Sequence, residues 1–414
     1  MRRFDFIVIG GGIAGTRAVE TLRDLEPNAS IAIIEAEPHR LYSKILLPHY
    51  ILGKIEREKI FLRPEPFFRE KAIETFFSAK VVSLKPTDHA IELSTGETLH
   101  YGKLLIAAGA EPLPLPTVFE NSERITAFLT LSDAERIKTL LADDSAGREA
   151  AVLGASFISL EFPPFFEKYG FRGHLILRGE RIFWRVLDAA ASEWIEKEIA
   201  RHGTLVHKNS KLSRVEDDDR WLSLRLSSGE DLKVVFLGYG LGLGAAPDFA
   251  LKAGLKGGAR GVVTDEYLRT GAPDIWAAGD CAEYYDIFSK RSRRPANWMN
   301  AEAQGCYAAA AMVNEAGKPF EMFSIYSLRI FNLAMLFLGD LTESQDSKWI
   351  DRGGPVHERL ARIHLRNGKI VGAVLVNAAS ELKAVKYLIE QRANLANAGD
   401  NLTDLNFDLQ NFLT

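Results

Sequence analysis

The first 35 residues combine apolar runs with a helical pattern. Residues 6–9 form an apolar run that leads into three consecutive glycines, and a second apolar run at 31–34 ends on Glu35. Between the two runs, apolar residues recur at three- to four-residue spacing. Short apolar runs predict buried strands and this spacing predicts a helix. The segment is therefore predicted as strand, glycine turn, helix and strand.

The same pattern returns later in the chain. An apolar run begins at Ala150 and enters a second glycine-containing turn, and Gly173 opens the next strand of that unit. Other strands are predicted at 79–84 and 90–93, a β meander at 205–226, and short strands from 261 that end on Asp280. A helix with small residues follows at Ala301, Ala303, Gly305, Ala308 and Ala311.

The last part of the chain has a different pattern. Strands are predicted at 361–365 and 370–376, on either side of Asn367 and Gly368. Asn-Gly between two apolar runs is a strong signal for a β-hairpin turn. A helix is predicted from Ser380 to about Glu390, so this part of the chain is predicted to be a small α+β domain.

The N-terminal glycines have the spacing of a dinucleotide-binding turn. Gly10 permits the tight turn, Gly12 lets a pyrophosphate approach the backbone, and Gly15 lets the helix pack on the strand. We assign Ala14 to the same site. Glu35 stands where a carboxylate accepts the hydroxyls of a ribose. The alternative is a glycine-rich turn in an ordinary parallel sheet.

Composition narrows the class of protein. The 414 residues suggest two to three domains, and 47% apolar residues are usual for a packed globular protein. The net charge of −4 gives no reason to expect a nucleic acid or an anionic membrane as a partner. Asp5 and the glycines interrupt any signal peptide, and no apolar run approaches the ~20 residues of a membrane span. Two cysteines argue against a disulfide framework or a four-cysteine metal site, so we expect a cytoplasmic protein without a metal.

Four motifs in order carry a family resemblance. They are GGGIAG near the N-terminus, LLIAAGAEP at 104–112, LGASFISLE at 153–161 and IWAAGDCAE at 275–283. With these motifs the chain resembles the FAD-dependent pyridine nucleotide reductases of the glutathione reductase type over nearly its whole length. LYSKILLPHYILGK at 41–54 is similar to rubredoxin and ferredoxin reductases, apoptosis-inducing factor and the FAD part of nitrite reductases.

The resemblance implies an α/β fold with two Rossmann-like dinucleotide-binding domains, one for FAD and one for NAD(P)H, and a small C-terminal α+β domain. We place the FAD domain at 1–116 and 241–319, the NAD(P)H-binding-like domain at 117–240 and the C-terminal domain at 320–414. The Pro-rich connector before residue 116 is a credible boundary.

The implied chemistry is a hydride transfer followed by electron transfer. The disulfide-reductase branch needs a CxxxxC pair, and residues 39–48 contain no cysteine. NAD(P)H would therefore reduce FAD, and FAD would pass electrons to a small protein such as a ferredoxin or rubredoxin. Lys44 matches the family lysine beside the flavin, and Glu161 matches its glutamate partner. The alternative is a pair of surface charges.

Further FAD contacts follow from the resemblance. Asp280 would accept from the ribityl chain or lie near the pyrophosphate, and Ala108 and Gly109 would pass close to the phosphates. Val82 would meet the adenine through its backbone. Trp298 matches an aromatic residue that lies near the isoalloxazine, or else it is only a packed residue at a helix start.

The nicotinamide fingerprint departs from the family pattern. Gly154 is retained, but Ser156 and Ser159 replace glycines, and Pro163 and Pro164 follow about two turns into the expected helix. An interior proline removes a backbone hydrogen bond. We therefore expect that helix to kink or stop early, and NAD(P)H binding to be weak, altered or lost.

The strand after the fingerprint bears on the choice of coenzyme. Relatives that use NADH place an acid at its end, whereas here Arg178 follows Leu177, with Arg181 and Arg185 further on. Arginine pairs with a 2′-phosphate and an acid repels it. The sequence favours NADPH slightly over NADH. The alternative is a solvated basic loop.

Two other functions stay open at this point. An FAD-containing subunit of a larger redox complex would not use NAD(P)H itself, and a binding protein could retain the fold without FAD. The basic run 290–294 is either a docking site for an acidic ferredoxin or, more simply, a solvated loop. A homodimer is also left open.

Overall fold

The computed structural model describes residues 2–115, 122–143, 147–218, 220–244, 246–287, 289–314, 317–396 and 398–412, without the side chain of residue 400. The boundary predicted between residues 116 and 117 lies outside these ranges. The chain forms two compact units, the first from 1–46, 56–111 and 243–324 and the second from 47–55, 112–242 and 325–414. The domain boundaries placed from the sequence stay a prediction.

The strands are numbered in chain order. They are β1 Arg2–Ile9, β2 Ile31–Ile34, β3 Ile73–Phe76, β4 Val81–Lys85, β5 Ala90–Leu93, β6 Thr98–Ile106, β7 Ile125–Ala127, β8 Glu149–Leu153, β9 Arg172–Ile176, β10 Thr204–His207, β11 Leu212–Asp217, β12 Leu222–Leu226, β13 Asp231–Val234, β14 Phe236–Tyr239, β15 Val262–Thr264, β16 Ile275–Ala277, β17 Ala282–Asp286, β18 Arg291–Arg293, β19 Ile325–Ile330, β20 Leu333–Gly339, β21 Ser347–Gly354, β22 Arg359–Arg366 and β23 Lys369–Val376.

The α-helices of the described ranges are also numbered in chain order. They are α1 Ile13–Leu25, α2 Leu47–Ile51, α3 Phe67–Glu70, α4 Leu131–Ala142, α5 Phe162–Lys168, α6 Ala189–Arg201, α7 Asp248–Lys252, α8 Trp298–Val313 and α9 Leu382–Glu390. Of the helices in the described ranges, none combines the length and the apolar character needed to cross a membrane.

The first unit is built on a mixed sheet in the order β3-β2-β1-β6-β5-β4, with β16 also paired to β6. Strand β1 pairs in parallel with β2 and β6. The strand, turn, helix and strand predicted at the N-terminus are confirmed as β1, the glycine turn, α1 and β2. Its side chains alternate between two cores. Phe6 and Val8 pack on one face with Ala14, whereas Ile7 packs with Leu104 on the other. Period-two alternation lets a strand buried on both faces serve two layers.

Helices α1 and α8 cover one face of this sheet and approach each other closely. A Cβ on Gly305 would lie 2.1 Å from the carbonyl oxygen of Ala14. Gly305 is therefore required by this approach. It brings the start of α1 against the middle of α8.

The second unit has a parallel sheet in the order β10-β9-β8-β14-β7 and an antiparallel sheet of β11, β12 and β13. The meander predicted from residue 205 is therefore wrong in its first strand. Strand β10 pairs in parallel with β9, with Thr204 opposite Gly173. A short apolar strand has the same pattern in either type of sheet, so the pattern did not separate them.

The C-terminal part of the second unit is an antiparallel sheet in the order β19-β20-β23-β22-β21, with α9 beside β23. Asn367 and Gly368 join β22 to β23 with φ values of 51° and 73°. Two consecutive residues with positive φ are what a type I′ hairpin turn requires. The predicted hairpin, the helix after it and the α/β fold class are confirmed.

Candidate functional site

The glycine turn after β1 has a close backbone approach at each end. Gly10 has φ of 105°, and a Cβ there would lie 2.2 Å from the carbonyl oxygen of Ala107. A Cβ on Gly15 would lie 1.8 Å from the carbonyl oxygen of Gly10. By contrast, a Cβ on Gly12 would meet nothing within 4 Å. The turn therefore leaves open space at Gly12, where a ligand can reach the backbone.

Helix α1 begins without a side-chain cap. Its N-cap is Gly12, whereas α4, α6 and α8 begin with side-chain caps from Thr130, Asp188 and Asn297. The first N–H groups of a helix have no partner inside the helix. In α1 the N-cap residue is a glycine, so no N-cap side chain accepts hydrogen bonds from these N–H groups. A helix start of this kind suits a phosphate.

The carboxylate of Glu35 lies at the edge of this turn. One of its oxygens accepts from the backbone N–H of Gly11, and the other accepts from the backbone N–H of Glu37 at 2.8 Å. Burial raises the pKa of Glu35, while these two N–H groups and Lys44 act in the opposite direction. Each carboxylate oxygen has two lone pairs, so this group can still accept ribose hydroxyls.

Val82 lies at a β-bulge of β4. Its neighbours Val81 and Ser83 pair with Leu93 and Glu92, so Val82 is the extra residue between two paired positions. The residue is 49% exposed. A bulge leaves one residue outside the ladder, and this frees its backbone for another partner. The position suits the adenine contact predicted for it.

Ala108 and Gly109 follow directly after β6 and the buried Ala107. Ala108 is exposed, and a Cβ on Gly109, whose φ is 70°, would meet nothing within 4 Å. Gly10 closely approaches Ala107, the residue before this segment. The backbone of Ala108 and Gly109 therefore lies next to the first glycine turn.

Asp280 lies in the 3₁₀ turn Gly279–Cys281, one residue after the end of β16, and is half-buried. Burial raises the pKa of Asp280, while the positive charges of Lys44 and Arg294 lower it. Lys44 is exposed in the 3₁₀ turn Lys44–Leu46. Both Asp280 and Glu35 are thus carboxyl groups of the first unit that feel the charge of Lys44.

Trp298 is the first residue of α8 and is half-buried. The residue before it, Asn297, caps the helix by accepting from the N–H of Asn300 at 2.9 Å. The cap fixes where α8 begins and so fixes the backbone of Trp298. The flavin contact predicted for this tryptophan stays a prediction.

The second glycine turn, after β8, is filled by side chains. Gly154 has φ of 114°, and its Cβ would meet the carbonyl oxygen of Gly240 at 2.6 Å and the Ser159 hydroxyl at 2.7 Å. The Ser159 hydroxyl donates to Gly240 at 3.0 Å and lies 3.0 Å from the Ser156 hydroxyl. Two serines thus occupy the space that glycines would leave open, and Gly240 accommodates them because it has no side chain.

The helix after this turn starts late. A 3₁₀ turn covers Ser159–Glu161, and α5 runs only from Phe162 to Lys168. The expectation that Pro163 and Pro164 interrupt a helix interior is therefore wrong. Both lie in the first turn of α5, where proline is tolerated because N–H groups there lack helical partners.

Glu161 is the N-cap residue of α5 and is half-buried. Burial raises the pKa of Glu161 to about 7. A carboxyl group with this pKa is close to half-protonated at neutral pH. Glu161 belongs to the second unit and Lys44 to the first, and their pairing stays a prediction.

The three arginines after β9 differ in their surroundings. Arg178 and Arg185 are exposed, and the guanidinium of Arg185 lies 5.0 Å from the ring centre of Trp184. Arg181 forms an ion pair with Glu180. Arg178, two positions after the end of β9, forms no ion pair with any residue that the structure describes.

The basic run 290–294 is largely occupied by internal contacts. Arg293 forms an ion pair at 3.0 Å with the fully buried Asp286. Arg294 donates to the backbone carbonyls of Leu243 and Gly244. This arrangement gives little support to a docking role for these two arginines. These contacts of Arg294 could not be predicted, since nothing in the sequence links it to residues 243 and 244.

Comparison with known proteins now decides the family. The model of the pyridine nucleotide-disulphide oxidoreductases matches residues 4–305, and the model of the reductase C-terminal domain matches residues 331–413. The chain belongs to the pyridine nucleotide-disulphide oxidoreductase family. The resemblance drawn from the four motifs is confirmed. The two cysteines of the chain, Cys281 and Cys306, are free and come more than 200 positions after residues 39–48 in the sequence.

Individual relatives cover the whole chain. A 5,5'-dehydrodivanillate O-demethylase ferredoxin reductase subunit from Sphingobium sp. is 28% identical over 98% of this chain and 99% of its own length. A 3-phenylpropionate/cinnamic acid dioxygenase ferredoxin–NAD(+) reductase component from Photorhabdus laumondii is 27% identical over 95% of this chain and 98% of its own. The reductase in a covalent putidaredoxin reductase–putidaredoxin complex has the same fold, with a TM-score of 0.90, 23% identity and coverage of 100% and 98%.

Proposed function

We propose that this protein is an FAD-dependent oxidoreductase that takes a hydride from NAD(P)H and passes electrons to a small ferredoxin-type protein. The observation that carries the proposal is the first glycine turn. It combines an open backbone at Gly12, an α1 start without a side-chain cap and the carboxylate of Glu35. Full-length relatives named as ferredoxin reductases support the same activity.

The residues of the first unit fit FAD. The pyrophosphate would lie at Gly10, Gly12, Ala14 and Gly15, with Ala108 and Gly109 passing beside it, because both segments expose backbone there. Glu35 would hold the adenosine ribose and the bulged Val82 the adenine. Asp280 would accept from the ribityl chain, and Trp298 would lie against the flavin ring.

FAD, when bound, supplies a ring that accepts a hydride and gives up electrons one at a time. The protein positions that ring and adjusts its charge. Lys44 would place a positive charge beside it, which favours added electrons, and Glu161 would pair with Lys44. Because burial raises the pKa of Glu161 to about 7, the carboxyl group can also hold a proton near neutral pH.

The nicotinamide coenzyme would bind at the second turn, with Gly154 and Ser156 beside its phosphates. We propose a slight preference for NADPH, because Arg178 is exposed at the end of β9, where it can pair with a 2′-phosphate. The partner would be a small ferredoxin- or rubredoxin-type carrier. With both cysteines free, a cytoplasmic location stays our expectation.

A steady-state assay tests this function. Purified protein loaded with FAD should reduce a small [2Fe–2S] ferredoxin with NADPH or NADH, at a rate that saturates with ferredoxin. Free FAD at the same concentration is the control. Turnover no faster than the free-FAD control, with several ferredoxins and rubredoxins, would count against the proposal.

A second candidate has its own supporting observation. The second turn is filled by Ser156 and Ser159, and α5 starts only at Phe162. This arrangement favours an FAD-containing electron-transfer subunit of a larger redox complex that does not use NAD(P)H itself. Reduction of its flavin by dithionite but by neither coenzyme would support this candidate.

A further inference from the structure

Four polar side chains of the second unit form one continuous series of hydrogen bonds. Two imidazole rings meet in its middle, where Nδ1 of His174 on β9 lies 2.9 Å from Nε2 of His207 on β10. The outer nitrogen of each ring meets a carboxylate. Nε2 of His174 lies 2.6 Å from Oε2 of Glu149, and Nδ1 of His207 lies 2.9 Å from Oε2 of Glu230. We call these residues the histidine chain: Glu149, His174, His207 and Glu230.

The histidine chain joins the parallel sheet to the antiparallel sheet of β11, β12 and β13. Its first three residues lie on the neighbouring strands β8, β9 and β10, whereas Glu230 lies in the turn between β12 and β13. The side chains of His174 and His207 are 8% and 10% exposed, and the two carboxylates at the ends are 34% and 47% exposed. The middle of the series is therefore shielded from water, and a hydrogen bond left unmade there is costly.

The number of hydrogen bonds fixes the number of protons that the histidine chain needs. A neutral imidazole has one N–H donor and one acceptor nitrogen, and an ionised carboxylate has no donor. Three hydrogen bonds use three protons, but two neutral imidazoles supply only two. This count holds whichever nitrogen carries each proton. With two protons, either the inner nitrogens of His174 and His207 face each other as two acceptors, or one carboxylate loses its donor.

The charges around the histidine chain leave this count unchanged. Arg172, the first residue of β9, lies 3.7 Å from the second oxygen of Glu149, which the series does not use. Arg225 of β12 is paired with Asp231 of β13 at 2.6 Å, and Lys208 is paired with α6 at 2.9 Å. None of these groups donates to the two rings, so none of them supplies the third proton.

We propose that the histidine chain is a proton-binding site, which holds one proton more than two neutral imidazoles carry and completes the connection between the parallel sheet and the β12–β13 turn only while that proton is bound. Burial lowers the pKa of His174, against the effect of Glu149, so we place the additional proton on the ring of His207. A rise in pH withdraws this proton, and the connection to the turn weakens as pH rises. None of the four residues is assigned to FAD or to the coenzyme, so the inference does not depend on the proposed function.

NMR of the full-length, FAD-loaded protein labelled with ¹⁵N-histidine counts these protons directly. The sequence has only nine histidines, and His174→Gln and His207→Gln assign the two signals of interest. We expect three protonated ring nitrogens in the pair at pH 6.5 and two at pH 9. In His174→Gln the remaining ring should lose the additional proton, because a glutamine amide can donate or accept. His357→Gln removes an exposed histidine of the same unit and should leave the count unchanged.

Hydrogen exchange of the β12–β13 turn tests the connection in the same samples. The N–H of Leu226 donates to the carbonyl oxygen of Glu230 at 2.9 Å, so its protection reports on this turn. After correction for the intrinsic pH dependence of exchange, we expect wild-type protection to fall about tenfold between pH 6.5 and pH 9, the effect of one lost hydrogen bond. His174→Gln should show equal protection at both pH values, and His357→Gln should behave as wild type.

Two results would overturn the inference. One is a pair with two or with four protonated ring nitrogens at pH 6.5, because either number contradicts a single shared additional proton. The other is wild-type protection of the turn that does not change when the third proton is released. If His174→Gln does not fold, the wild-type count and the wild-type protection still decide, since both are measured without a variant of the histidine chain once His207→Gln has assigned the pair.

Discussion

The two glycine turns of this chain follow equivalent strands, but they are built differently. In the turn after β1, glycine stands at both close approaches, and α1 begins at Ile13 directly after Gly12. In the turn after β8, Ser159 replaces a glycine, and the facing Gly240 leaves room for it. Two backbone segments can thus approach closely when glycine stands on either one of them.

The difference extends to what each turn offers a ligand. The first turn leaves its helix start without a side-chain cap. The second turn uses its polar groups internally, since Ser156 accepts from the N–H of Ser159 at 3.2 Å and the Ser159 hydroxyl donates to Gly240. The start of α1 therefore stays open to a ligand, whereas the serine hydroxyls of the second turn are already hydrogen-bonded within that turn.

The largest expected effect is at Gly15. Gly15→Ala places a Cβ 1.8 Å from a backbone oxygen, so we expect a loss of about 3 kcal/mol in the free energy of unfolding. Gly12→Ala should change stability by no more than about 1 kcal/mol, because its Cβ meets open space. Chemical denaturation measures both, with Gly271→Ala, which also faces open space, as the control.

FAD affinity separates these two glycines further. Gly12→Ala should fold normally and bind FAD at least about tenfold more weakly, since its methyl group occupies the ligand's side of the turn. Wild-type FAD affinity in Gly12→Ala would contradict the assignment of the open space to a pyrophosphate.

The next effect tests whether Gly240, which has no side chain, makes room for the Ser159 side chain in the second turn. Gly240→Ala should cost about 2 kcal/mol, because its Cβ would lie 2.6 Å from the Ser159 hydroxyl. Ser159→Gly alone should cost about 1 kcal/mol through its lost hydrogen bonds. In the double variant, Ser159→Gly should recover part of the Gly240→Ala loss. Additive losses in a double-mutant cycle would show that the two residues do not compensate each other.

A pH effect is expected at Glu161. Its pKa of about 7 lies above the ordinary 4.5, so the folded protein holds this proton more tightly than the unfolded chain. Stability contributed by Glu161 therefore falls as pH rises from 4.5 to about 7 and is constant above. Glu161→Gln removes this loss, and we expect a gain of about 3 kcal/mol at pH 8 and none at pH 4, since each pKa unit corresponds to ~1.4 kcal/mol.

The same measurement bears on the Lys44 pair. A stability difference between Glu161→Gln and wild type that does not change with pH would mean that a positive partner holds the carboxylate charged. Repeating the comparison in a Lys44→Met background would identify that partner.

The smallest expected effect is at Arg178. Arg178→Ala should lower kcat/KM for NADPH by about tenfold and leave that for NADH unchanged, because only NADPH has a 2′-phosphate. Lys211→Ala, which removes another exposed charge of the second unit, is the control. Equal losses with both coenzymes would mean that Arg178 acts on the shared part of the coenzyme or on the fold.

Much of the fold could be predicted because its signals are local. The N-terminal strand, turn and helix, and the hairpin at Asn367 and Gly368, follow from patterns within about 30 residues. The start of α5 could not be predicted, since it depends on how Ser159 fits against Gly240, which lies 81 positions later. The parallel pairing of β10 likewise depends on β9, which the pattern of β10 alone does not reveal.

In the candidate site too, residues that are close in sequence could be predicted and contacts between distant segments could not. The glycines and Glu35 were predicted from spacing, because the site they form is continuous in sequence. The contacts of Arg294 with residues 243 and 244 span about 50 positions, and in the sequence it was only one member of a basic run. Residues of this kind become visible only when distant segments are brought together.

The central claim is that electrons enter this protein from NAD(P)H through bound FAD. The most direct test is an anaerobic stopped-flow mix of the FAD-loaded protein with NADPH and, separately, with NADH, followed by the visible absorbance of the flavin. We predict rapid loss of that absorbance with both coenzymes and a faster loss with NADPH. No loss with either coenzyme, while dithionite still bleaches the flavin, would contradict the claim.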